Sequence, residues 1–241
     1  MKRAILSDVH ANLEALEAAL TVVDELQCDE MICLGDLVGY GPDPAAVIEV
    51  MKDRRVTAVR GNHDDAAVSP AGDRSFNPWA REAIRWTRDR LDPGMRAYLK
   101  GLPMSLSLGW AFAVHAAPSA PEAWPYVLSL EEAAREFESF TEQICLVGHS
   151  HVPMIVEHAH GSSAMLGPHE TTLLPGSRYV INVGSVGQPR DGDPRASFGI
   201  FDDEDASYTL IRVDYECRRT ARKVLEAGLP PVLGERLLVG H

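Results

Sequence analysis

The sequence holds only four cysteines in 241 residues: Cys28, Cys33, Cys145 and Cys217. They form no CxxC pair and lack the density of a disulfide framework, so neither a disulfide-stapled scaffold nor a thiolate metal site is indicated. Cys33 and Cys145 lie inside apolar runs and read as buried, reduced thiols. No stretch comes near the roughly eighteen uninterrupted apolar residues of a membrane-spanning helix. The apolar run after Lys2 and Arg3 is too short for a secretory signal, so the expectation is a cytoplasmic protein with no membrane partner. Basic residues are scarce as well, with 23 Lys and Arg against 35 Asp and Glu and a net charge of −12. That balance argues against bulk binding to DNA or RNA, which needs a basic face. An anion can still be held where metal cations dominate the local field. Repeats, low-complexity tracts and linkers are lacking too, so residues 1–241 are expected to form a single domain around one substantial core. Homo-oligomers remain compatible with this composition.

What is present begins with alternation. Arg3 to Ser7, Met31 to Leu34 and Val56 to Val59 are short apolar runs suited to buried strands. Between them, Leu13, Leu16, Leu20, Val23 and Leu26 recur at helical spacing behind Asn12, a natural N-cap, and a second helix starts at Asp43-Pro44. Strand–helix–strand–helix–strand with short connections predicts a parallel sheet. The spacing further predicts helices over 78–91, with Trp79, Ala83, Trp86 and Arg90 on its core face, and over 92–102, 130–140 and 218–227. Strands lead to His115 and run from Ile144 to Val147, with short strands after Pro153 and a loose tail to His241. The acidic run 202–205 reads as a solvated hairpin tip, and His158, His160 and His169 as surface imidazoles.

Five polar blocks close strand-like runs: Asp8-Val9-His10, Gly35-Asp36, Gly61-Asn62-His63-Asp64, His115, and Gly148-His149-Ser150-His151. In a parallel sheet the first three blocks gather Asp8, His10, Asp36, Asn62 and His63 on one rim, where open α/β sheets place their ligands. Hard carboxylate oxygens beside imidazole nitrogens suit manganese, iron, zinc or cobalt.

In this order the blocks resemble the signature of the calcineurin-like metallophosphoesterases. The stretch Ile181-Asn182-Val183-Gly184-Ser185-Val186-Gly187-Gln188-Pro189-Arg190 resembles a loop of their bacterial and archaeal small-phosphoesterase branch. The resemblance implies an α/β fold, a β-sandwich flanked by helices on both faces in four αββα layers. It implies two divalent or trivalent transition-metal ions per chain, manganese first, with iron, zinc, cobalt or nickel as alternatives. Asp8, His10, Asp36 and His151 would hold one ion. Asp36, Asn62, His115 and His149 would hold the other, and His63 would serve as catalytic imidazole. The implied reaction is hydrolysis of a small phosphorylated substrate by a metal-bridging hydroxide: a phosphodiester, a nucleotide or a dinucleoside polyphosphate.

One departure bears on substrate. Protein phosphatases of the family, and its symmetrical dinucleoside tetraphosphatases, carry a phosphate-clamping Arg shortly after Gly-Asp, and here Tyr40 stands in its place, while Gly39 replaces a polar residue that in protein phosphatases orients the catalytic His, so neither substrate class carries over directly. This disfavours a phosphoprotein phosphatase, and the filled ligand set disfavours a non-catalytic scaffold such as the family's retromer subunit. Arg190, and Tyr40 with it, are the candidate substrate contacts; Arg60 and Arg178 are other candidates for the missing clamp.

Overall fold

The computed structural model describes residues 1–69 and 72–241. Among them the first half of the chain forms β1 (Lys2–Leu6), α1 (Leu13–Glu25), β2 (Glu30–Cys33), α2 (Pro44–Asp53), β3 (Thr57–Ala58), α3 (Asn62–Val68), α4 (Pro78–Arg88), α5 (Pro93–Gly101), β4 (Ser105–Ser107) and β5 (Ala111–Val114). The second half adds α6 (Leu130–Glu136), β6 (Ile144–Val147), β7 (Met154–Ala159), β8 (Ser162–Leu166), β9 (Glu170–Thr172), β10 (Arg178–Asn182), β11 (Ala196–Asp202), β12 (Ser207–Val213), α7 (Cys217–Glu226) and α8 (Pro231–Leu237).

The strands make two mixed sheets, ordered β3-β2-β1-β11-β12-β9 and β4-β5-β6-β10-β7-β8. Each has a parallel half, β1 with β2 and β3 in one and β5 with β6 and β10 in the other. Their period of two sorts side chains into layers. Ala4 and Leu6 of β1 face outward onto Leu16, Val47 and Met51 of α1 and α2. Ile5 points the other way, joining Ile32, Ile144, Ile181 and Phe201 between the sheets. On the second sheet Cys145, Val147 and Val180 turn outward to meet Ala133 and Phe137 at α6. The result is helix, sheet, sheet, helix, as expected. Each large side chain buried this way contributes about 1.5–3 kcal/mol.

Local signals start the helices where predicted. Asn12 accepts the Ala15 amide at 3.1 Å, Ser129 and Glu132 form a capping box on α6, and prolines open α2, α4 and α5. Three expectations need correction. The buried stripe of α4 is Ala80, Ala83, Ile84 and Thr87, and the Trp79–Trp86 side is its flank. Trp79 is 45% exposed beside Arg236, and Trp86 donates its indole N–H to the Ala227 carbonyl. The helix from Leu130 stops at Glu136 instead of Phe140. The tail is not loose: α8 closes on α7, and Leu229 and Leu233 pack with Val224, Ala83 and Tyr40. Gly234 weakens the helical signal of α8 yet serves its packing, since a Cβ there would lie 3.0 Å from the Ala221 carbonyl oxygen. No helix among the described residues is long and apolar enough to cross a membrane.

Candidate functional site

The loops following β1, β2, β3, β5 and β6 bring all seven expected ligand residues together. The mechanism is visible in the backbone. Asp8, His10, Asp36, His149 and His151 all have left-handed φ angles, between 49° and 66°. Such conformations cost non-glycine residues on the order of 1–3 kcal/mol each and concentrate at functional sites. These turns follow the ends of β1, β2 and β6, and Asp8 with His10, and likewise His149 with His151, face one cleft. Backbone bonds lace the loops: the amides of Asp8 and His10 donate to the carbonyls of Gly35 and Asp36 at 3.0 and 2.9 Å.

Asp64 and Asn182 provide further support. One Asp64 oxygen accepts the Gly61 amide at 3.0 Å, and the other accepts the Leu37 and Val38 amides at 2.9 and 3.2 Å. A single carboxylate thus fixes the Asp36 loop against the His63 loop. Burial first, then Asp36 beside it, push its pKa up to about 7. Asn182 donates to the Gly148 carbonyl at 2.7 Å and to Ser150 Oγ at 3.0 Å, holding the loop that carries His149 and His151. Gly61 is required by closeness, because a Cβ there would sit 2.1 Å from Asp36 Oδ1.

The chemistry of the cluster follows from its hydrogen bonds. Nδ1 of His10, His115 and His151 faces the carbonyl oxygens of Val38, Leu34 and Gln188 at 3.2, 2.8 and 2.6 Å. A carbonyl only accepts, so each Nδ1 carries the proton and each Nε2 presents a lone pair. Those lone pairs converge. His10 Nε2 lies 3.1 Å from His151 Nε2, and His115 Nε2 lies 3.1 Å from Asn62 Oδ1 and 3.2 Å from His149 Nδ1. Asp36 Oδ2 stands between the groups, 3.5 Å from His10 and 3.4 Å from His115. Asp8 Oδ1, 3.3 Å from His151, is fully buried and has no hydrogen-bond partner, while its other oxygen accepts from Ser7 and the His149 amide. Acceptors packed against acceptors repel one another unless cations sit among them. The donor set therefore fits metal ions.

The electrostatics agree. Burial would raise both carboxyls, but His151 and His115 hold Asp8 well below the usual carboxylate range, and His115 and His63 do the same for Asp36. Burial presses His115 down, yet Asp36 and Asp8 outweigh it and lift it to about 9, so a proton competes with a metal cation for its Nε2 lone pair. Burial and His115 together lower His149 to about 3.

His63 packs beside the acceptor groups, its ring 4.8 Å from His10 and 4.4 Å from Tyr40, and with His10 and Asp36 it is itself close enough to share a cation. Burial drives it down to about 4, against the opposing pull of Asp36. Gly39 lies under its ring, where a Cβ would meet Nδ1 at 2.3 Å. His63, Tyr40 and Arg190 all line a cleft of about 390 Å³ that opens from the cluster. The Arg190 guanidinium lies 5.6 Å from the Tyr40 ring centroid, and its Nε is buried without a partner among the described residues. Arg60 and Arg178 are occupied elsewhere, on the carbonyls of Leu102 and Phe137. His158 is half-buried against Phe137, not a free surface imidazole, whereas His160 and His169 are exposed as expected; all three lie outside the cleft lining. Residues not singled out from the sequence also line the cleft: Phe76, Trp124 and Tyr126.

Comparison with known proteins gives the family. A family model for the calcineurin-like phosphoesterase superfamily domain matches residues 1–206. An uncharacterized protein of Methanocaldococcus jannaschii is 34% identical over 242 residues, covering 99% of this chain and 98% of its own. The crystal structure of a metallophosphoesterase from Sphaerobacter thermophilus is 39% identical with a TM-score of 0.88, covering 100% of both chains. A hypothetical protein of Pyrococcus horikoshii OT3, 23% identical and covered to 98%, shares the fold over 100% of this chain at a TM-score of 0.80.

Proposed function

The chain belongs to the calcineurin-like phosphoesterase superfamily and is a metal-dependent phosphoester hydrolase; we propose that it cleaves a small phosphodiester, nucleotide or dinucleoside polyphosphate at a centre of two metal ions. The observation that carries this reading is the acceptor-only cluster opening onto a half-enclosed cleft with Arg190 and Tyr40 at its side. Asp8, His10, Asp36 and His151 would hold one ion, and Asp36, Asn62, His115 and His149 the other. Manganese is the first choice for these donors, with iron, zinc, cobalt or nickel fitting the same set. When bound, the ions supply an activated water and neutralise charge on the phosphoryl oxygens.

The chain's own residues do the remaining work. His63 donates a proton to the leaving oxygen, and Tyr40 and Gly39 keep its ring turned into the cleft. Asp64 holds the two loops that present Asp36 and His63. Arg190 reaches the place where the Gly35–Gly41 run lacks an Arg, and there it pairs with a phosphate next to the one attacked. Residues 1–241 act as one catalytic domain, since α7 and α8 close behind Tyr40.

Arg190 beside Tyr40 also offers a charge-assisted partner to a dianion, and this observation favours phosphomonoesters, phosphoproteins included, as the second reading. A panel with Mn²⁺ separates the two: bis-p-nitrophenyl phosphate, cyclic nucleotides, a dinucleoside tetraphosphate, p-nitrophenyl phosphate and a phosphopeptide. The expected result is higher kcat/KM on diesters and dinucleoside polyphosphates than on the phosphopeptide. Efficient phosphopeptide turnover with negligible diester activity would overturn the assignment.

A further inference from the structure

The cleft beside the acceptor cluster is ringed by aromatic side chains at both of its ends. Tyr40 and Phe76 touch His63, with ring centroids 4.4 and 4.5 Å away. The other two rings come from the segment between β5 and α6. Trp124 meets His115 edge-on at 5.8 Å, and Tyr126 lies nearly flat on His149, with centroids 4.0 Å apart and planes inclined by 13°. Tyr126 is nonetheless 48% exposed, so the His149 side of the ring is used and much of the rest faces outward. Trp124 holds a left-handed backbone, φ 56°, directly after the 3-10 turn Pro121–Ala123. That conformation is rare for a bulky residue and persists where the surroundings fix it. The segment is tied down by the Ala117 amide, which donates to the Pro125 carbonyl at 3.1 Å.

We infer that Trp124 and Tyr126 form a stacking platform for the nucleobase of a nucleotide substrate, which sets substrate choice at this cleft. The inference rests on the phosphoesterase reading of the same site. A flat heteroaromatic ring is the group that such a platform recognises, because stacking on Tyr or Trp needs a π-face and little else. Ser75 and Asn77, on either side of Phe76, also line the cleft, and Asn77 Oδ1 accepts the Ala80 amide as the cap of α4. The phosphate enters the cluster where Asp36 and His149 line the floor, and the base lies against the rings that touch His115 and His149. The competing account is that both rings only buttress those two imidazoles.

Isothermal titration of the Mn²⁺-loaded protein with AMP and with ribose 5-phosphate decides between them, because the two ligands share the phosphate and sugar and differ by the base. The platform predicts AMP binding tighter by roughly 10-fold or more, the usual value of one stacked base. Tyr126→Leu and Trp124→Leu should each remove most of that advantage and leave ribose 5-phosphate within about twofold, whereas Tyr126→Phe should keep it. Equal binding of the two ligands by the unaltered protein overturns the inference. So does a proportional loss of both ligands in the Leu variants, with matching loss of bound metal, which is what buttressing rings would give. Turnover of bis-p-nitrophenyl phosphate, measured in parallel, tests the hydrolase reading separately: its absence alongside an intact AMP preference counts against hydrolysis and for the platform.

Discussion

On the floor of the cleft Asp8, His10, Asp36, His115 and His151 are no more than 2% exposed, whereas Tyr126 at the rim is 48% exposed and Arg190, Phe76 and Trp124 are half-buried. The floor is held from every side. Carbonyls set its imidazole tautomers, Asp64 and Asn182 tie its loops, and left-handed turns aim its side chains. The rim is held mostly by stacking and by one bond from Arg190 to Gln188. Groups that must sit within a few tenths of an ångström of reacting atoms are fixed by hydrogen bonds, and groups that choose among substrates are left adaptable. Changes on the floor should therefore abolish activity toward all substrates alike, while changes at the rim should redistribute it.

The largest effect is expected for Asp36→Asn, since Asp36 Oδ2 faces both imidazole groups. Losing one charge there should cost about 10³-fold or more in kcat on every substrate, because metal-based charge stabilisation is worth several kcal/mol. A loss confined to one substrate class would erase the distinction between floor and rim. His63→Ala comes next, with a fall on the order of 10²-fold or more in kcat for poor leaving groups and most of the metal retained. The loss should shrink for nitrophenolate, which needs little protonation; equal losses for good and poor leaving groups would remove the acid role. Gly39→Ala sharpens the comparison from the steric side. Its Cβ would press on His63 Nδ1 from 2.3 Å, at a φ of +90° that disfavours alanine. We expect kcat to drop by roughly tenfold or more with metal content unchanged, as misplacement of a catalytic group by about 1 Å costs up to 10²-fold. The smallest effect belongs to Arg190→Ala, expected to raise KM several-fold for dinucleoside polyphosphates, by about the worth of one charge-assisted bond, and hardly at all for an aryl ester. An equal rise on both substrates would place Arg190 with the floor.

The same contrast governs what could be read in advance. Asp8, His10, Asp36, Asn62, His63, His115, His149 and His151 are legible because each follows a strand run; parallel β1, β2 and β3 gather the first five at one sheet's rim, and parallel β5 and β6 bring the other three from the second sheet. The four layers follow from the family resemblance alone: Ala4, Ile5 and Leu6 are all apolar, and only the fold sorts Ile5 between the sheets from Ala4 and Leu6 beneath the helices. Trp124 and Tyr126 carry no such signal: they sit in an aperiodic stretch rich in Pro and Ala, and reach His115 and His149 only through the fold. The part played by Asp64 is visible in the sequence as a motif letter but not as a three-bond tie, because two of its partners, the Leu37 and Val38 amides, belong to another loop. Trp79 misleads because size is no guide to facing: the small Ala80 and Ala83 are what let α4 lie close to Tyr40, α7 and α8. The helix α8 was hidden by Gly234, whose missing side chain is the reason it packs.

The claim on which the rest depends is that the converging lone pairs are two cation sites sharing Asp36. Elemental analysis of protein reconstituted with Mn²⁺ and freed of excess metal tests it most directly. The account predicts close to two metals per chain for the unaltered protein, a fall at both sites in Asp36→Asn, and a fall mainly at one in His115→Ala. A single metal per chain, or two retained in Asp36→Asn, would contradict it.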